Sequence, residues 1–206
     1  MSLLVVGSVA LDSVETPFGH REEVLGGSAT YFSVCASFFG PVRLVAVVGQ
    51  DFPEEHLRFL ASRQVDLAGL ARRPGRTFRW KGRYEFDLNQ AHTLDTQLNV
   101  FADFRPELPP AWRESRHVFL GNFDPDLQRQ VLDQVRGAPF VACDTMNYWI
   151  ETKRQSLLQT LRRVNMLMVN DAEARELAGE ANVVKAARAI LGFGPRAVVV
   201  KRGEYG

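Results

Sequence analysis

Few residues in this sequence are suited to metal or thiol chemistry. Its two cysteines, Cys35 and Cys143, both lie in apolar segments, so the sequence predicts no disulfide framework and favours the cytoplasm. The four histidines stand singly along the chain: His20, His56, His92 and His117. This scatter predicts neither a histidine metal centre nor a Ser-His-Asp arrangement.

Charge of one sign and long apolar runs are also lacking. The 206 residues carry 25 basic and 24 acidic side chains, a net charge of +1, which gives no reason to expect nucleic acid or an anionic membrane as partner. The apolar runs are too short to span a bilayer, and the first residues lack the basic stretch and apolar core from which a signal segment would be predicted. A Walker A motif is absent, and "GFGPRA" (192–197) is no dinucleotide fingerprint because it ends in Ala and precedes a strand.

Strand-like and helix-like segments alternate along the chain. Such alternation predicts an α/β fold of one domain, 1–206, with a mainly parallel sheet and helices on both faces. Segments 76–86 and 93–104 instead alternate with period two, and with part of 13–25 they predict a small antiparallel sheet that projects as a lid over about 13–25 and 76–101. The predicted strands of the body are 3–12, 41–51, 65–71, 117–122, 139–144, 165–170 and 196–203. The predicted helices are 52–63, 126–135 and 151–163, with two more over 171–191.

A bare glycine pair, Gly26 and Gly27, precedes a run of small, apolar and aromatic residues. The run predicts a helix that is apolar nearly all round and therefore buried. Glycine lets a ligand approach the main chain closely. Asp12 follows the first strand, where a carboxylate can accept hydrogen bonds from paired sugar hydroxyls, although a turn-stabilising role is the alternative.

Polar residues also follow the later strands, and ligands of parallel sheets gather beyond such strand ends. Asn170 and Glu173 have the spacing of a capping box, yet Asn and Glu there can also orient the water shell of a Mg²⁺ ion. Lys201 and Gly203 are candidates to face the phosphates of a nucleotide, or they belong to a solvated turn. Two further polar side chains are candidates to line the crevice, with a helix start at 144 or 145 as the alternative: Asp144 and Asn147.

The chain resembles the ribokinase-like (PfkB-type) carbohydrate and nucleoside kinases. Five stretches carry the resemblance in family order, and together they span nearly the whole chain: "VVGSVALD", "GGSATYFSVCASFFG", "VGQDFP", "NDAEARELAG" and "VVVKRGEYG". In "VGQD" (48–51), which looks like the tail of an anion-binding turn, a helix-entry role is expected for Asp51.

The resemblance implies an ATP-dependent kinase of a sugar or nucleoside alcohol, with ATP and Mg²⁺ as cofactors. Asp12 would hold substrate hydroxyls, and Gly26 and Gly27 would leave room for the substrate. Asn170 and Glu173 would act near Mg²⁺ and the phosphates, with the metal reached through water. The donor nucleotide would be bordered by the segment from Lys201 to Gly203.

Two positions depart from the family pattern and bear on the acceptor. Tyr31 stands where many members have Asn after the glycine pair, and Ala10 stands where ribokinases have Asn before the substrate Asp. Both departures argue against ribose itself, and they leave other sugars, inositols and nucleosides open. An apolar face on the lid strands, with Phe78, Trp80, Tyr84 and Phe86, together with the lid-to-lid dimers of the family, predicts a homodimer.

One family motif is missing from residues 1–206. In the family a Gly-Ala-Gly-Asp motif opens a further helix, whose N–H groups hold the charge of the transferring phosphoryl group and whose Asp is the catalytic base. No Gly-x-Gly-Asp occurs here, so the chain as given is expected to be C-terminally incomplete and inactive by itself. A non-catalytic sugar- or nucleotide-binding relative is the alternative, and a nicotinamide-dependent oxidoreductase is a third reading, disfavoured by the absent glycine fingerprint.

Overall fold

The computed structural model describes residues 2–89, 91–137 and 139–206. Gln90, which belongs to the predicted lid segment, lies outside the described residues, as do Met1 and Ala138. The chain divides into two units, Met1–Pro109 and Pro110–Gly206. Among the described residues, no helix has the length and apolar character needed to cross a membrane.

The first unit contains β1 (Leu3–Val6), β2 (Ala10–Thr16), β3 (Gly19–Gly26), α1 (Ser28–Ser37), β4 (Val42–Gly49), α2 (Glu54–Ser62), β5 (Val65–Arg73), β6 (Phe78–Tyr84) and β7 (Ala91–Gln97). Three of its strands run parallel in the order β1, β4, β5, and their Val- and Leu-rich sequences suit strands covered on both faces. Its second sheet has the order β3, β2, β6, β7.

The second unit contains β8 (His117–Leu120), α3 (Pro125–Gln134), β9 (Phe140–Asp144), α4 (Asn147–Thr152), α5 (Arg154–Leu161), β10 (Met166–Asn170), α6 (Asp171–Ala178), α7 (Val183–Leu191) and β11 (Ala197–Lys201). Its strands run parallel in the order β8, β9, β10, β11. Helices alternate with these strands along the chain, so the predicted α/β class is confirmed.

The small sheet is mixed, whereas the sequence pattern predicts only antiparallel strands. β2 pairs antiparallel with β3, and β6 pairs antiparallel with β7, but β2 and β6 run parallel. The first predicted strand, 3–12, is in fact two strands, and its second part joins this sheet. The predicted lid strands extend too far, because Asn99–Phe101 form a 3₁₀ turn in which Phe101 stacks between Phe78 and Phe104, with ring centroids 5.3 Å apart in both pairs.

Helix α1 is not buried on all sides, which corrects the expectation from its apolar composition. Its buried residues are Ala29, Thr30 and Ser33, whereas Tyr31 and Phe38 are 61% and 70% exposed. Cys35 on the same helix is also exposed, and both it and Cys143 are free thiols. The small residues face inward because they let the helix approach the strands closely.

Asp51 does not have the role at the start of helix α2 that the sequence predicts for it. Pro53 is the N-cap of that helix, without a side-chain hydrogen bond. Asp51 Oδ1 instead accepts hydrogen bonds from the Thr77 N–H and hydroxyl, both at 2.7 Å, and Asp51 Oδ2 lies 2.8 Å from Arg79. The carboxylate therefore ties the segment after β4 to the start of β6.

The single helix predicted over 151–163 is two helices, α4 and α5, and the first begins at Asn147. They are separated at Lys153, whose backbone φ of −131° is not helical. Its Nζ lies 2.6 Å from Asp124 and 2.8 Å from Asp126. These ion pairs hold Lys153 in the break between the helices.

Candidate functional site

In the first unit, Asp12 lies within β2 beside the start of α1. The Gly27 N–H donates a hydrogen bond to Asp12 Oδ2 at 3.4 Å. Burial raises the pKa of the Asp12 carboxyl from 3.8 to about 6, although the hydrogen bond from Gly27 acts in the opposite direction. A poorly solvated carboxylate of this kind gains from hydroxyl donors supplied by a ligand.

The two glycines beside Asp12 have separate structural roles. A Cβ on Gly26 would lie 2.0 Å from Asp12 Oδ2, so this glycine makes room for the carboxylate. Gly27 has a φ of +94°, and a Cβ there would lie 2.4 Å from the main-chain oxygen of Ser8. Direct contact of a substrate with the main chain at these glycines stays a prediction.

Substituting each glycine with alanine should therefore give different results. We expect Gly27→Ala to lower the free energy of unfolding by about 1–3 kcal/mol, because its backbone conformation is strained for any L side chain and its neighbour is main chain. Gly26→Ala should displace Asp12 and weaken acceptor binding more than it weakens the fold. Urea unfolding and calorimetric binding of both variants measure the two effects, and identical profiles for the two variants would contradict the assignment.

Tyr31 lies on α1 close enough to Asp12 for their charges to interact. Partial burial raises the pKa of its hydroxyl, and the charges of Asp12 and Tyr84 raise it further. Thus three predicted acceptor residues, Asp12, Gly26 and Gly27, adjoin one another, and Tyr31 is in electrostatic range of the carboxylate.

In the second unit, polar residues gather at the carboxyl ends of β9, β10 and β11. The strand register pairs Met168 with Asp144 and Asn170 with Lys201. Asn170 Oδ1 accepts from the Glu173 N–H, and Glu173 Oε2 accepts from the Asn170 N–H, both at 2.7 Å. The capping box of the sequence is therefore present at the start of α6.

Glu173 is more deeply buried than a capping residue needs to be, with 6% of its surface exposed. Burial raises the pKa of its carboxyl from 4.5 to about 7. The hydrogen bond from Asn170 and the charge of Lys201 oppose this rise, whereas the Asp144 carboxylate adds to it. Asp144, Glu173 and Lys201 are thus electrostatically coupled.

Asp144 is the second buried carboxylate of this group. Burial raises its pKa, although Lys201 Nζ, 3.5 Å from Asp144 Oδ1, acts in the opposite direction. At that distance the contact is ionic rather than a short hydrogen bond. When both carboxylates are ionised, Asp144, Glu173 and Lys201 together carry a net negative charge, which favours a further positive charge nearby.

The remaining predicted residues occupy the ends of nearby elements. Asn147 opens α4 with Met146 as its N-cap, so neither Asp144 nor the residue after it starts the helix. Gly203 follows β11 with a φ of 59° and opens a 3₁₀ turn. Sequence reasoning missed Thr145, whose buried hydroxyl has no hydrogen-bond partner among the described residues. Its position directly after Asp144 was the available signal.

A direct metal cage is not part of the described structure. Within residues 2–89, 91–137 and 139–206, no three or more His, Cys, Asp or Glu side chains are grouped so that they could hold an ion. The buried carboxylate of Glu173 suits a hydrated Mg²⁺, which keeps most of its waters and meets few carboxylates.

The sequence matches a known protein family over nearly its whole length. The profile of the pfkB family carbohydrate kinases matches residues 3–206. A cytidine kinase of Thermococcus kodakarensis is 29% identical over 209 residues, covering 100% of this chain and 74% of the relative.

Solved structures share the fold at lower identity. A Burkholderia thailandensis nucleoside kinase in complex with inosine has a TM-score of 0.78 at 15% identity, covering 99% of this chain and 71% of its own. The Methanocaldococcus jannaschii nucleoside kinase, an archaeal member of the ribokinase family, has a TM-score of 0.70 at 18% identity. The match covers 100% of this chain and 71% of that nucleoside kinase. The ribokinase-like class predicted from the sequence is confirmed.

Proposed function

The chain belongs to the pfkB family of carbohydrate kinases, and we propose that it serves the transfer of a phosphoryl group from ATP to a hydroxyl of a sugar or nucleoside. The observation that carries this proposal is the Asp12 carboxylate, held beside the Gly27 N–H with a pKa of about 6. Such a group is suited to bind acceptor hydroxyls. The cytidine kinase relative supports an acceptor of this class.

On the acceptor side, the proposal gives Asp12 the role of accepting hydrogen bonds from substrate hydroxyls. Gly26 and Gly27 provide the space and the N–H group that hold this carboxylate. Tyr31 would contact the acceptor from α1. Asp144 and Asn147 are also proposed as acceptor-binding residues, because both follow the buried strand β9.

On the donor side, Asn170, Glu173, Lys201 and Gly203 are proposed to bind ATP and Mg²⁺. Glu173 would hold the ion through water, and the ion would neutralise charge on the phosphates. Lys201 Nζ offers three donors to phosphate oxygens, and the turn that Gly203 opens follows it directly. The raised pKa of Glu173 supports a cation there, because a positive charge would stabilise its ionised carboxylate.

Residues 1–206 contain no Gly-x-Gly-Asp sequence. We therefore propose that this stretch by itself binds its ligands but does not catalyse the transfer, because the motif that supplies the base for the substrate hydroxyl in the family is not among these residues. The same observation favours the second candidate function, a sugar- or nucleotide-binding relative that transfers nothing.

Thermal shift with purified residues 1–206 tests the proposed function. We expect nucleosides or sugars to raise the melting temperature, and ATP with Mg²⁺ to raise it separately, since each ligand prefers the native state. A shift with neither class would contradict the proposal. In a phosphotransfer assay the same protein should give no product, and robust turnover would show that the base lies within residues 1–206.

Two further features belong to the proposal. A homodimer through the small sheet is supported by Phe18 and Phe86, which are 68% and 76% exposed and pack against each other with ring centroids 5.5 Å apart. A cytoplasmic location is supported by the two free thiols, Cys35 and Cys143.

A further inference from the structure

One face of the small sheet combines Asp12 with aromatic side chains. β2 and β6 run parallel with Asp12 opposite Trp80, so these two side chains point to the same face. Residues two apart on a strand share a face, which adds Phe78, Gly82 and Tyr84. The charged residues Lys81 and Arg83 point to the opposite face, where both pair with Glu15.

Trp80 lies flat on this face. A Cβ on Gly82 would lie 1.9 Å from Cη2 and 2.3 Å from Cζ2 of the indole, so the ring covers the strand where Gly82 has no side chain. The indole N–H donates to Thr93 Oγ1 on β7 at 3.1 Å, which fixes the ring in its plane. Trp80 is half-buried, so part of its ring remains in contact with solvent while the rest covers Gly82.

The acid and the aromatic side chains belong to one continuous surface. Neighbouring strands are about 4.8 Å apart, so the Trp80 ring begins one strand away from Asp12. Tyr84 follows Gly82 on the same face, and the charges of Asp12 and Tyr84 both raise the pKa of the Tyr31 hydroxyl on α1. A ligand whose hydroxyls bind Asp12 would therefore extend over the indole.

We propose that Trp80 is the stacking platform for a planar base, which makes the acceptor a nucleoside rather than a free sugar. The inference rests on the proposed function, because it uses the same acceptor site. A nucleoside carries a hydroxylated ring for Asp12 and a π-system for the indole, whereas a free sugar leaves the indole uncovered. Loss of such stacking weakens binding about 5- to 150-fold.

Calorimetric titration with cytidine, inosine and free ribose tests the proposal. The variants are Trp80→Ala, Trp80→Leu, which keeps apolar volume without an aromatic ring, and Trp80→Phe, which keeps a ring. We expect wild type to bind a nucleoside more tightly than ribose. Both Trp80→Ala and Trp80→Leu should lose about 5- to 150-fold in nucleoside affinity with ribose unchanged, and Trp80→Phe should recover most of it.

Phe39→Ala is the matched control, because it removes an exposed aromatic side chain outside the small sheet. It should leave nucleoside affinity unchanged. Light scattering of Trp80→Leu and of the control distinguishes nucleoside binding from dimerisation. If Trp80→Leu dissociates a dimer without changing nucleoside affinity, the face binds a second copy and the proposal is wrong.

Three further outcomes test the stacking role of Trp80 and the proposed function separately. Equal losses for nucleoside and ribose in a folded Trp80→Leu protein would make Trp80 structural and overturn the platform. If Asp12→Asn abolishes nucleoside binding while Trp80→Leu leaves it intact, the platform is wrong and the proposed kinase function stands. If wild type binds none of these compounds, nor any sugar, the proposed function itself is contradicted.

Discussion

Asp12→Asn is expected to lower the affinity for the acceptor about 10- to 150-fold, because a charged acceptor of hydrogen bonds is worth about 1.5–3 kcal/mol. Asn keeps the size of the side chain in the narrow space beside Gly26. Calorimetric titration measures the loss. Asp95→Asn, an exposed carboxylate of the same sheet, is the control and should bind as wild type does.

The same substitution should stabilise the fold at neutral pH. Burial raises the pKa of Asp12 from 3.8 to about 6, so ionising it costs more in the folded chain than in the unfolded one. Its contribution to stability is present below pH 4 and is lost as the pH rises through about 6. We therefore expect Asp12→Asn to be more stable than wild type at pH 8, by up to about 3 kcal/mol, and to lose that advantage near pH 4.

Wild-type acceptor binding should weaken in parallel as the pH falls below about 6, because a protonated Asp12 loses its charge. Denaturant unfolding and titration at several pH values test both trends. Unchanged acceptor affinity in Asp12→Asn would remove this residue from the site, and an advantage that is larger at pH 4 than at pH 8 would contradict the stated pKa direction.

Glu173→Gln is expected to stabilise the protein in alkaline solution. The pKa of Glu173 is raised from 4.5 to about 7 by burial, so its contribution to stability is present below pH 4.5 and lost as the pH rises through 7. Gln can keep the capping box, since its side-chain oxygen accepts from the Asn170 N–H. We expect the variant to gain about 3 kcal/mol over wild type at pH 8.5 and nothing near pH 4.

The functional readout of Glu173→Gln is separate from its stability. If Glu173 holds hydrated Mg²⁺, the variant should lose the Mg²⁺-dependent part of its ATP affinity and keep the metal-independent part. Glu107→Gln, an exposed carboxylate elsewhere, is the control for both measurements. Equal Mg²⁺ enhancement in variant and wild type would leave Glu173 with its capping role alone.

The sequence by itself determined the features that depend on short spacings. The apolar runs within 41–51 and 165–170 predict buried parallel strands, because strands covered on both faces need little polar surface, and the structure has strands at 42–49 and 166–170. Asn170 and Glu173 predict the capping box, which joins residues only three apart. The position of Asp12 after the first apolar run also indicates a ligand-binding carboxylate without knowledge of its neighbours.

Only the tertiary structure decided which distant residues meet. Asp51 accepts hydrogen bonds from Thr77, 26 residues away, instead of capping α2, because the fold places the Thr77 N–H and hydroxyl beside its carboxylate. The parallel pairing of β2 with β6 places Trp80 beside Asp12. Residues paired across these two strands are far apart in the sequence, as the 68 positions between Glu15 and its ion-pair partner Arg83 show. Local periodicity reports which face of an element is apolar, but it contains no information on which other element covers that face.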